Sequence, residues 1–98
     1  MKFKYNHEKN GKLIFERGIG FEEIIEEISN GNLLEITNHH NQTTYPNQKI
    51  LHVRCLDKVY LVPYILEEDG SIFLKTLYPS RKATKKLKHR LYTTQPPH

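Results

Sequence analysis

Apolar residues Phe21, Ile24, Ile25 and Ile28 recur at i, i+3, i+4 and i+7, and Glu22, Glu23, Glu26 and Glu27 fill the opposite face. This pattern predicts an amphipathic helix that Asn30-Gly31 ends. Its acidic face reads as a solvated surface, with docking of a partner as the alternative. Ahead of it, Lys2 to Tyr5 suits a short strand. Asn6 suits the cap of a helix with Glu8 in its first turn and Leu13, Ile14 and Phe15 as apolar members. Gly11 weakens that helix.

Further along, the period shortens to two. Residues 33 to 37 suit a strand, and a polar loop from Asn38 to Gln48 carries His39, His40, Tyr45 and Pro46. From Ile50 to Leu56 the faces alternate, with Leu51, Val53 and Cys55 on one and Ile50, His52 and Arg54 on the other. Lys58 to Leu66 is apolar on both faces and predicts a strand inside the sheet. Pro63 complicates this, because proline cannot donate to a ladder and belongs at an edge or a bulge.

Asp69-Gly70 matches the pair favoured in two-residue hairpin loops. That turn would place Leu66 opposite Phe73, Tyr64 opposite Lys75 and Val62 opposite Leu77 on one face, leaving Ile65, Leu61, Leu74 and Tyr78 on the other. Lys75 then emerges beside Tyr64, with a snorkelling edge residue as the plain alternative to a functional one. Pro79-Ser80 ends the last strand, and Ser80 suits the cap of a helix beginning at Arg81. Ala83, Leu87 and Leu91 form its narrow apolar seam; Arg81, Lys82, Lys85, Lys86, Lys88 and Arg90 cover the rest.

These elements predict an α+β fold: two N-terminal helices packed on an antiparallel sheet of about four strands, closed by a basic C-terminal helix. Residues 1–92 form one domain and 93–98 a flexible tail. The charge is segregated along the chain. Residues 1–69 hold eight basic and eleven acidic side chains, a balance of −3, whereas Gly70 onward holds seven basic and no acidic ones. The overall +4 thus conceals a strongly cationic end, which attracts polyanions better than the average charge indicates. Cys55 is the only cysteine, so an intrachain disulfide is excluded and a reducing compartment, the cytoplasm, is expected. No stretch has the composition of a signal peptide or of a membrane span.

Six histidines raise the question of metal binding, but His39 and His40 are adjacent, and no HExxH or Cys/His grouping exists. No cofactor is expected: a phosphate-cradling glycine loop and a serine nucleophile elbow are both absent. What remains is phosphodiester chemistry without a metal. Cleaving RNA by attack of its own 2′-hydroxyl needs a base, cations for the charge growing on phosphate, and an acid for the leaving oxygen. Arg54 and Arg81 are candidates to clamp the phosphate, and Lys75 to stabilise charge or act as the acid. His40 and His52 are candidate bases, since an unperturbed imidazole titrates near neutrality. Tyr45, Tyr60 and Tyr64 are candidates to stack on unpaired bases, and Lys82, Lys85 and Lys86 to hold the RNA backbone. Each histidine is also readable as an idle surface residue, and the basic helix as a plain polyanion or acidic-protein binder.

Two stretches carry a family resemblance. HEKNGKLIFERGIGFEEIIEEI at residues 7 to 28 and TLYPSRKATKK at 76 to 86, in this order and with a hairpin between them, resemble the BrnT-like toxins of bacterial type II toxin-antitoxin systems. The resemblance covers about residues 3 to 90. It implies a RelE-like fold and mRNA cleavage. It also implies neutralisation by a cognate antitoxin, often a small ribbon-helix-helix DNA-binding protein, and contact with operator DNA only through that complex. By position, Arg81 falls on the arginine of the closing motif and Arg17 where many members have histidine. Thr76 stands where many members carry an arginine before the break. A homodimer of the free protein, covering the antitoxin surface, is a further expectation.

Overall fold

A computed structural model describes residues 1–86, so the expected Leu87 and Leu91 seam positions, Lys88, Arg90 and the 93–98 tail lie outside the described residues. The chain begins with β1 (Phe3–Tyr5) and α1 (His7–Arg17), where the Asn6 side chain accepts the Lys9 N–H at 2.9 Å and caps the helix as expected. α2 (Phe21–Ser29) follows after a short turn. Here the Phe21 N–H donates to Asn10 Oδ1 at 2.7 Å and the Gly20 N–H to the Glu23 carboxylate at 2.9 Å. One side chain of α1 therefore satisfies the free end of α2 and fixes the angle between them. Gly20 is required there: a Cβ would run into Asn10 Oδ1 and come within 2.8 Å of Ile14 Cγ1.

β2 (Leu33–Asn38), β3 (Lys49–Cys55), β4 (Lys58–Leu66), β5 (Ile72–Leu74) and β6 (Tyr78–Pro79) complete a mixed α+β fold, and residues 81–86, here α3, are helical. Among the described residues six strands form one sheet, ordered β1-β5-β4-β3-β2, with β6 also on β4. Two differences from the expected architecture follow. The sheet is larger than four strands, and it is not wholly antiparallel, because β1 joins β5 in parallel with Phe3 opposite Ile72 and Tyr5 opposite Leu74.

One face of the sheet meets α1 and α2. Leu51, Val53, Val62, Tyr64, Ile72, Leu74 and Leu77 pack there with Leu13, Ile19, Phe21 and Ile24, which makes this the core. The α2 stripe enters it as predicted. Of the apolar members of α1 only Leu13 does: Ile14 is 46% exposed and Phe15 91%. α3 lies against the other face.

The hairpin between β4 and β5 differs from the predicted one. Leu66 pairs with Ile72, Ile65 with Phe73 and Tyr64 with Leu74, one residue away from the expected register. The cause is the loop. Glu67 N–H donates to Ser71 C=O at 2.8 Å, so Glu68, Asp69 and Gly70 form a three-residue loop. Its Gly70 has φ +88, and the Asp69 carboxylate accepts the Ser71 N–H at 2.9 Å. At β6 the expected register returns, with Leu61 opposite Tyr78 and Tyr60 opposite Pro79. A one-residue bulge over 75–77 absorbs the difference. It also explains Pro63. The Lys75 N–H donates to the Pro63 C=O at 2.8 Å, and a strand residue directs its N and C=O to the same side. The missing Pro63 N–H therefore points at the bulge, where no ladder bond is needed.

Candidate functional site

The bulge decides which side chains meet on the α3 face. Ser80 Oγ accepts the Ala83 N–H at 3.0 Å, capping α3 as its sequence predicts. The β4 backbone then anchors the helix: the Val59 N–H donates to Thr84 Oγ1 at 2.8 Å, and the Val59 C=O accepts from the Ser80 N–H at 3.0 Å. Fixed in this way, α3 turns its two rows of cations to opposite flanks. Lys82 and Lys86, one helical turn apart, line a cleft with Ala83, Ser80, Leu61, His52, Thr37 and Glu35. Arg81 and Lys85 line a second groove with Lys58, Pro79, Ser80 and Thr84.

His52 forms the floor of the first cleft. Its Nε2 is 2.9 Å from Thr37 Oγ1, while Nδ1 is buried without a hydrogen-bond partner. If Thr37 donated to Nε2, the proton on Nδ1 would be an orphaned buried donor. If Nε2–H donates to Thr37, Nδ1 is only an unused acceptor, the less costly arrangement. Burial lowers the His52 pKa below its ordinary 6.5; Glu35 opposes this and Lys86 adds to it. His52 is thus a neutral imidazole at physiological pH, with its free lone pair turned inward. Arg54 lies two residues along β3 on the same face, opposite Val59, and is exposed. Its Nε donates to the Leu56 C=O at 3.5 Å.

Several expected members lie elsewhere. Tyr64 is 8% exposed inside the core, on the face opposite His52, and Tyr60, four residues away on the same face of β4, is buried too, so neither ring is available to stack on a base. Lys75 is not beside Tyr64. The register turns it to the other face, where its Nζ lies 5.3 Å from the Phe73 ring centroid, in a cleft with Asn6, Glu8, Lys9 and Lys12. His40 and Tyr45 belong to a local stack around buried His39, with ring centroids 4.5 and 4.6 Å from it. The Asn41 N–H donates to His39 Nδ1 at 3.0 Å, and burial followed by the His40 charge pushes the His39 pKa down. Neither His40 nor Tyr45 lines the His52 cleft.

Of the predicted site residues, the fold brings together His52, Lys82 and Lys86, with Arg54 on the same face and Arg81 and Lys85 across α3. Sequence reasoning missed Thr37, Glu35 and Lys58. Glu35 stands opposite His52, and Thr37, opposite Ile50, reaches His52 diagonally, across a β2–β3 pairing that the long polar loop hides and that only a strand register would have found. No group of three or more His, Cys, Asp or Glu that could hold a metal occurs among the described residues, and none of their helices is long and apolar enough to cross a membrane. No family model matches this chain, and neither a curated protein nor a solved structure does.

Proposed function

We propose that this protein is the toxin of a type II toxin-antitoxin system. In this reading it is a metal-independent, RelE-like endoribonuclease that cleaves mRNA in the cytoplasm and is neutralised by a cognate antitoxin of ribbon-helix-helix type. The observation that carries the proposal is the cleft in which a neutral, half-buried His52 meets two ammonium groups, Lys82 and Lys86. Base and cations in one cleft are what 2′-hydroxyl attack requires.

In the proposed reaction His52 takes the proton of the 2′-hydroxyl after its ring turns to bring Nδ1 toward the cleft. The 2′-oxygen bonds to phosphorus, and the P–O5′ bond breaks. Lys82 and Lys86 offset the charge on the non-bridging oxygens, and the 5′-oxygen leaves with a proton from the Lys86 ammonium. The products are a 2′,3′-cyclic phosphate and a 5′-hydroxyl. Arg54 and Arg81 flank the site as phosphate holders.

The test is incubation of purified protein with single-stranded RNA in EDTA. Cleavage to cyclic phosphate ends that persists in EDTA and disappears in His52→Ala and Lys86→Ala is expected. RNA left intact by the wild type at concentrations that bind it would overturn the catalytic reading. A non-catalytic RNA-binding module is the second reading. It is favoured by Lys75, Arg54 and Arg81 falling at separate places instead of converging on one phosphate.

A further inference from the structure

The His52 cleft is narrow, about 190 Å³, below the roughly 300–1,000 Å³ of pockets that hold whole small molecules. It has room for a phosphate and part of a sugar. The groove on the other flank of α3 is about 580 Å³, and among the described residues it is lined by three cations, Lys58, Arg81 and Lys85, and by no carboxylate. None of the three makes an ion pair with a described carboxylate. Ser80 lines both, so the two spaces lie on either side of the start of α3.

Lys58 opens β4, whereas Arg81 and Lys85 come from α3, and the Val59 bonds to Ser80 and Thr84 hold these elements together. The groove is thus a fixed arrangement from two elements. Like charges held close without a counter-charge repel one another, and an anion relieves that repulsion. A linear polyanion reaching the His52 cleft has this groove as its continuation.

We propose that a single RNA strand crosses α3 with one phosphate in the His52 cleft and its neighbour in the Lys58–Arg81–Lys85 groove, which makes Lys58 a phosphate-binding residue. This rests on the reading of the α3 face as an RNA surface, not on cleavage. The substrate is then a strand longer than one nucleotide, held on both flanks of the helix.

The test is a salt titration of binding to a 2′-O-methylated single-stranded RNA of about ten nucleotides, a usual single-strand site size, which cannot be cut by 2′-hydroxyl attack. Lys58→Gln and Lys85→Gln are each expected to flatten the slope of log affinity against log salt by about 0.7, the loss of one phosphate contact on a single strand. Lys49→Gln, an exposed change on β3 outside both clefts, is expected to leave it unchanged. Unfolding midpoints equal to wild type check that each variant is folded. If Lys58→Gln behaves like Lys49→Gln while unmethylated RNA is still cut, the groove is overturned and the ribonuclease reading survives. If the slopes change as expected but unmethylated RNA stays intact, the ribonuclease reading falls and the groove stands. Absence of RNA binding by the wild type overturns both. Polyglutamate competing on equal charge terms would assign the groove to an acidic protein and overturn the RNA assignment.

Discussion

At the scale of single residues, His52 ties the proposed chemistry to a measurable proton. Burial depresses its pKa below 6.5, and Lys86 pushes the same way. A base must be neutral to act, so activity should be full above the ordinary value and fall only as pH drops through the lowered one. The acid limb of kcat/KM is therefore expected below pH 6.5. Lys86→Gln removes a cation that disfavours the imidazolium, so it should raise the His52 pKa and move that limb to higher pH while reducing the rate. A limb unmoved by the substitution would detach Lys86 from His52. A second residue-scale contrast concerns packing. Leu77 is fully buried in the core and Phe15 is 91% exposed. Urea unfolding should show Leu77→Ala losing about 2–5 kcal/mol, and Phe15→Ala changing stability by no more than about 0.5 kcal/mol.

Among the elements, the α1–α2 corner depends on one small residue. Gly20→Ala would push the Asn10 carbonyl off the Phe21 N–H, so it should destabilise by about 1–3 kcal/mol, the penalty of an unsatisfied buried donor. Asn10→Ala should lose a comparable amount, and the double variant less than the sum, because both break the same bond. Denaturant titration of the three variants reads this directly. The elements also show where the sequence was readable. The Asn6 and Ser80 caps, the α2 stripe and the alternation of β3 all depend on neighbours a few residues apart, and all are realised. The β4–β5 register was not readable, because Asp-Gly is equally at home in a longer loop. The choice was made by the Asp69 carboxylate reaching the Ser71 N–H. That one-residue shift sent Lys75 away from Tyr64, and the bulge beside Pro63 then restored the facing of Leu77 and Tyr78. The His52 cleft was legible only as a set of residue types. Its membership depends on where α3 docks, which is set by the bonds of Val59 to Ser80 and Thr84.

For the molecule as a whole, the sheet is closed at one side by a strap. Lys4, on β1, lies 3.3 Å from both Glu67 and Asp69 at the far end of β4 and its loop. The Asp69 carboxyl is held down to about 2, first by the Ser71 N–H and then by Lys4. A depressed carboxylate contributes stability that is complete above its ordinary pKa of 3.8 and is lost as pH falls toward 2. Thermal unfolding should therefore show Asp69→Ala less stable than wild type at pH 6, with the gap closing between pH 4 and about 2. A gap independent of pH would mean that the loop, and not the carboxylate, matters. The parallel pairing of Phe3 with Ile72 and Tyr5 with Leu74 has a further consequence, in time instead of space. A chain growing from its N-terminus holds its first strand without a partner until almost the whole sheet has been synthesised. The sheet beneath α3 is then complete only once β5 and β6 have left the ribosome. A nascent chain shorter than that lacks the sheet on which α3, and the RNA surface proposed for it, would assemble.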